Sequence, residues 1–441
     1  MQLRAKLLCT LASLHKKRQP SIIVPEFERQ LRLLRAYAVL TYPFACVPFL
    51  FFFFSQQGLD LAGYGKVVAL YYVVMFIADV PTSLLADRLG RRAMMVLGPM
   101  VLALGFVVLF YWRNCTGFCV GEGLMGLGHS ILSGPPSAIL YDLLRRNGQQ
   151  HRYLHHESRI HALRLLGTGC SFLLGGGLAY AMRDGDSFAF AATILPTAFL
   201  CVLAGLIAMR LRSAPPPALT TFRSLVKSAK EDLRHREVRW LLAYWIVLFA
   251  LLRFPFHNYQ PCLVEASARE PLLRHPLLIG TLFGLLNLVA APLSSKVPAL
   301  VQRFGRRPLF WGMPILLAIS LLLMALENAL AAQWPAFGRP LAWLGVSLFF
   351  LQQVPFGMHW ALVQEFVNDR IGPEARATVW SVLSLGGRLA YAPLNAWLFF
   401  LQQSQGLTAV LFGAGLGGLA LTIAVMTARP RGLLRGRGRV A

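Results

Sequence analysis

Apolar residues along this chain neither alternate with polar ones nor recur on one face of a helix. They come in long unbroken runs separated by short polar gaps. A run of roughly 20 apolar residues, coiled as a helix, crosses the roughly 30 Å of hydrocarbon in a bilayer. Twelve such runs can be traced, at approximately 36–55, 64–86, 93–112, 117–141, 160–182, 187–209, 240–260, 277–299, 308–326, 340–366, 377–402 and 405–427. In hydrocarbon every backbone amide must be satisfied within the segment, so each run is predicted to be helical. The expected fold is an all-α integral membrane protein of twelve transmembrane helices in two pseudo-symmetric six-helix bundles. The gaps leave no room for a soluble domain, and the run at 340–366 is long enough to project from the bilayer.

The organisation that follows has a cytoplasmic or interfacial N-terminal segment (1–35), a first bundle (36–210) and a linker (211–238). A second bundle (239–428) and a basic tail (429–441) complete it. The linker carries Pro215, Pro216 and Pro217.

Composition agrees with the membrane class, since 56% of residues are hydrophobic and only 14% are charged. The net charge of +24 would suggest a nucleic-acid partner if it were gathered on one surface. Instead, 34 of the 43 Lys and Arg fall in alternate loops, five in the others, and four (Lys66, Arg164, Arg253, Arg388) in or beside the runs. Such a bias marks the cytoplasmic side, so a multi-pass protein of the cell membrane with both termini cytoplasmic is expected, with no nucleic-acid partner. The seven cysteines are scattered, and only Cys115 and Cys119 are spaced for a disulfide or metal contact on the outer side.

The halves look related. LLADRLGRRAMMVLG (84–98) follows the second run and PALVQRFGRRPLFWG (298–312) follows the eighth, with their Gly-Arg-Arg steps 215 residues apart. Arg164-Leu165 in the fifth run matches Arg388-Leu389 in the eleventh at an offset of 224, and Asp142 falls opposite Glu365 within a residue. These residues resemble the major facilitator superfamily over about 35–428. Its loop signature is present as Asp87, Arg88, Gly90, Arg91 and Arg92, with Ser83 where the family has a first glycine. Asp79-Val-Pro-Thr82, SAILYD (137–142) and RATVWSVLS (376–384) look like the drug:proton antiporter branch. The resemblance implies that Asp87 latches to the start of the eleventh helix and that Arg91 pairs with Asp142, as a gate.

Ionisable groups in hydrocarbon cost at least about 2.5 kcal/mol each, which makes them functional suspects. Proton-coupling candidates are Asp79, Glu122, His129 and His359. Solute-cavity candidates are Tyr42, Arg164, Arg253, Asn287, Gln352, Gln353, Arg388 and Asn395. Three guanidinium groups facing a cavity favour an anion, whereas pairing with Asp79, Asp142 or Glu365 would neutralise them. Gly167, Gly169 and Gly175–Gly177 permit close helix approach. His151, His155, His156 and His161 with Glu157 read as a solvated loop.

The expected function is export of a small organic solute, anionic or amphipathic, by alternating access and proton antiport, in a monomer embedded in the lipid bilayer. The proton gradient is the driving force, with no cofactor and no metal. A facilitator or importer of an organic anion is the alternative. A transport-inactive receptor or intramembrane enzyme is the alternative of another class, though no hydrolase, zincin or nucleotide-loop motif occurs.

Overall fold

The computed structural model describes residues 24–42, 44–183, 190–212, 230–370, 376–430 and 432–434. Among them lie α1 (Val24–Thr41), α2 (Leu50–Gln56), α3 (Leu61–Leu89), α4 (Arg91–Tyr111), α5 (Cys115–Leu132), α6 (Pro135–Arg146), α7 (Tyr153–Ala181) and α8 (Ile194–Ala208). The second half holds α9 (Arg236–Ser267), α10 (Pro276–Phe304), α11 (Arg306–Gln333), α12 (Gly338–Arg370), α13 (Arg376–Gln405) and α14 (Leu407–Thr427). No strand occurs among the described residues.

Two of the twelve crossings are broken. The first is shared by α1 and α2, joined by a 3-10 turn at Val47–Phe49, and it begins at Val24 rather than near 36. The fourth is shared by α5 and α6, and the break at Ser133 and Gly134 is followed by Pro135 at the first helical position, where its missing amide hydrogen costs nothing. The HRYLHHESRIH stretch is not a loop. α7 starts at Tyr153, so His155, His156, Glu157 and His161 lie on a helix. Residues 1–23, the linker at 213–229 and most of the basic tail lie outside the described residues.

Single-residue turns at Gly90, Gly305 and Gly406 reverse the chain between long helices. The bundle therefore has one face at the Gly90 and Gly305 turns, which is rich in arginine, and an opposite face at the 57–60, 112–114 and 268–275 connections. α4 packs on α5 and α8, and α3 on α5, within the first half. In the second half α11 packs on α12 and α14, and α10 on α12. The halves meet through α3 against α13 and α7 against α10. These two interfaces exchange under the internal repeat, because α10 is the counterpart of α3 and α7 that of α13.

Candidate functional site: gates and a charged interior

Gly90 has φ 85° and ψ 152°, and Gly305 has φ 77° and ψ 169°. A side chain is excluded from that region, which explains a glycine at both positions of the repeat. Each turn launches an arginine toward a carboxylate on a neighbouring helix. Arg91 pairs with Asp142 on α6, and Arg306 grips Glu365 on α12 with two bonds, at 3.1 and 2.7 Å. Arg92 caps the end of α8 through the Met209 carbonyl, while Arg88 points to the exterior. Asp87 has a partner of its own, and residues 371–375, ahead of α13, lie outside the described set.

Deeper along α3, Asp79 accepts a bond from Arg388 of α13 at 2.5 Å and one from Ser130 of α5 at 3.0 Å. Thr82 shares a further 3.0 Å bond with Ser130. The two charged side chains are only 13% and 11% exposed, so this pair joins the halves in a medium that screens it little. Ten residues separate Asp79 from the end of α3, which puts it about 15 Å inside the helix.

Toward the opposite face the halves are held by hydrogen bonds rather than by ion pairs. Gln260 of α9 accepts from the Phe51 amide and donates to the Val47 carbonyl, both at 2.8 Å, using backbone groups freed by the break in the first crossing. Tyr72 bonds His257 at 3.0 Å, and Asn395 donates to the Gly65 carbonyl at 3.0 Å. Gln403 bridges the Ala62 amide and Asp60. The Gln403 amide, and after it the Gly63 backbone N–H, hold the Asp60 carboxyl below its ordinary range.

The α7/α10 interface is built differently. A Cβ on Gly280 would lie 2.6 Å from the Phe172 carbonyl and 2.8 Å from the Gly176 Cα, and one on Gly169 would meet the Gly284 carbonyl at 3.2 Å. Backbone touches backbone here, as the glycine-rich fifth run suggests. Gly65 of α3, 215 residues before Gly280, abuts Phe399 of α13, so the repeat holds along both interfaces. Under the same offsets Arg388 corresponds to Arg164, but Asp79 corresponds to Ser294.

Between the interfaces runs a belt of rings. Arg164 lies over the Tyr42 ring at 4.8 Å and donates to His161 at 2.5 Å. Tyr42 stacks on His129 at 6.0 Å, and His129 bonds the Tyr71 hydroxyl at 3.2 Å. Tyr72 continues the belt to Tyr391 and Phe249. Arg253 sits over Phe249 at 5.3 Å, and beyond it Trp245 meets His359 and Trp380 at 6.1 and 5.9 Å. Among the described residues neither Arg164 nor Arg253 has a carboxylate at ion-pair distance.

The other sequence candidates are dispersed. Glu122 is buried in α5 with no ion-pair partner among the described residues. Asn287 is half-buried and bonds its own helix at Phe283. Gln352 and Gln353 are buried in contacts with Met324 and Tyr259, while the buried Asn395 accepts from Tyr391 of the belt and donates to the Gly65 carbonyl. Cys115 and Cys119 are free thiols, and the described residues contain no group of three side chains suited to a metal. Sequence reading missed His257 and Gln260. The available signal was their position in FPFHNYQP, polar groups between two prolines inside an apolar run.

Comparison with known proteins completes the site. An uncharacterized transporter of Buchnera aphidicola (subsp. Schizaphis graminum) is 23% identical over 210 residues, 46% of this chain and 49% of that protein. The inner membrane transport protein YajR of Escherichia coli K12 is 30% identical over 95 residues, 22% of this chain and 20% of that one. The alignments therefore span about half and a fifth of those relatives. A variant of the nucleoside transporter NupG superposes with a TM-score of 0.73 at 12% identity, covering 91% of this chain and 99% of its own. A D-xylose-proton symporter superposes with a TM-score of 0.66 at 13% identity, covering 92% and 97%. Such likeness establishes the fold alone. The sequence model of the Major Facilitator Superfamily matches residues 35–394, and with the twelve crossings, the repeated Gly-Arg-Arg turns and the paired halves, the chain belongs to that family of membrane transporters.

Proposed function

We propose that this protein is a proton-coupled secondary transporter that carries a small organic solute across a lipid bilayer by alternating access, with Asp79 as the coupling group. The observation that carries this reading is the buried Asp79–Arg388 pair across the two halves. Ionised Asp79 ties α3 to α13. Protonation removes its charge and strands Arg388, and breaking a buried pair in this way costs about 3–5 kcal/mol. An anion bound among the interior arginines offsets the positive charge that Arg388 is then left with, so proton and anion favour the same state and travel together. The Arg91–Asp142 and Arg306–Glu365 struts, with Asp87, form the gate on the Arg-rich face, which the charge bias puts in the cytoplasm.

Glu122 supports a second reading, export by proton antiport. A buried carboxylate without a cation is where a cationic solute and a proton would compete, which is the logic of exchange. Reconstitution into vesicles with an imposed pH gradient, a trapped pH dye and a panel of organic anions and cations separates the two. Proton and solute moving in the same direction, with proton movement lost in Asp79→Asn, is the expected outcome. Opposite movement selects antiport, and solute flux without proton movement overturns the coupling. Asp87→Asn should abolish flux while leaving membrane insertion intact.

A further inference from the structure

We infer that the solute is an aromatic organic anion, a planar ring bearing one carboxylate, sulfonate or phosphate group, held by Arg164 and Arg253 against the belt of rings. This rests on the transport reading above and names the chemistry of its cargo.

The first support is charge. Arg388 is neutralised by Asp79, whereas the equivalent position opposite Arg164 is Ser294, and Arg253 has only the face of Phe249. Asp142, Glu327 and Glu365 are committed to Arg91, Arg269 and Arg306, and the buried Glu122 is at ion-pair distance of neither Arg164 nor Arg253 among the described residues. Two guanidinium groups are thus kept in the interior without a carboxylate. A bare cation is costly in such a place, and the groups that do contact these two are rings, which stabilise a cation weakly without neutralising it. An anionic solute supplies the missing charge, and a cationic one would add to the repulsion.

The second support is shape. Successive members of the belt lie with centroids about 5–6 Å apart: Tyr42 and His129 at 6.0 Å, Tyr72 and Tyr391 at 5.0 Å, Tyr72 and Phe249 at 6.0 Å. These are the spacings of offset-stacked and edge-to-face pairs; Tyr72 and Tyr391 are buried against each other, while Tyr42, Tyr71, His129 and Phe249 are only half-buried and leave faces and edges on which a further ring finds the same geometry. The rings belong to both halves, so a ring held among them contacts both sides of the interface that moves. The hydroxyl and amide groups that a sugar would need are largely bonded within the protein already, Tyr71 to His129, Tyr72 to His257, Tyr391 to Asn395 and Gln353 to Tyr259.

The test is equilibrium binding to the full-length protein in detergent micelles, by calorimetry, with three probes of similar size. Benzenesulfonate carries ring and negative charge, cyclohexanesulfonate the charge alone, and benzyltrimethylammonium the ring with opposite charge. Benzenesulfonate should bind at least about tenfold more tightly than either of the others, the discrimination expected of ring stacking and of like-charge exclusion. Arg253→Gln and Arg164→Gln should each weaken it about tenfold, with Arg253→Lys recovering part of the loss. Equal affinity for the two sulfonates, preference for the ammonium compound, or no binding of benzenesulfonate overturns the proposal. The wild-type comparison needs no variant to fold. Binding requires no gradient, so failure here leaves the vesicle assay of Asp79 free to stand or fall separately.

Discussion

The α3/α13 and α10/α7 interfaces are two versions of one joint, related by the internal repeat, and they use it differently. In the first, an ion pair crosses between Asp79 and Arg388 and the helices are separated by side chains such as Phe399. In the second, the arginine persists as Arg164, the acid is replaced by Ser294, and Gly169, Gly176, Gly280 and Gly284 bring the backbones into contact. Duplication supplied two arginines with the same placement. The presence or absence of a single carboxylate separates a buried ion pair from an arginine that has no acid at ion-pair distance among the described residues.

The comparison can be broken most strongly at its arginines. Arg388→Gln strands a buried carboxylate and should lower unfolding stability by about 3 kcal/mol, whereas Arg164→Gln should cost less than about 1 kcal/mol because no acid is left behind. Thermal unfolding of the two purified variants in the same detergent checks this, and equal losses would mean the interfaces are electrostatically alike. Steric variants come next. Gly280→Val drives a branched side chain into the Phe172 carbonyl and Gly176, and should destabilise by about 2 kcal/mol, more than Gly312→Val in an open position. Ser294→Asp restores the missing acid, and should leave stability within about 1 kcal/mol while reducing benzenesulfonate affinity about tenfold, the effect of one neutralised charge pair. The smallest effect lies at the end of the joint. Asp60 has a lowered folded pKa, so its contribution is complete above the ordinary carboxylate range and is lost as pH falls through that lowered value. Protection of the residue 57–63 amides, taken relative to the intrinsic exchange rate at each pH, should fall on acidification, and Asp60→Asn should show the lowered protection already at neutral pH.

Much of the architecture was legible in the sequence, because hydrocarbon imposes a length and a composition on every crossing that few other segments share. The breaks were not. A window that averages hydropathy passes over Ser133-Gly134, and it discounts Val24–Arg35, whose charged residues project from a helix that continues into the apolar run. The Arg91–Asp142 strut followed from the family motif. The Arg388 assignment did not. Asp79 lies 309 residues away, and several arginines and acids could have paired in other combinations, so only the packing of α3 on α13 selects this one. His257 escaped notice for a related reason, since its importance comes from Tyr72 on another bundle rather than from any local pattern.

The glycine contact between α7 and α10 has a mechanical consequence. Interlocked side chains give two packed surfaces a few preferred registers and a barrier between them, because rotamers must change before one surface can slide past the other. Where Gly176 meets Gly280 there are no such side chains to rearrange. At that crossing point the surfaces are smooth, and the interlocking is left to Leu173 against Gly284 and Phe172 against Phe283 elsewhere along the interface. Directional ties between the halves are supplied elsewhere, by the Asp79–Arg388 pair inside and by the Gln260 and Gln403 clasps at one end.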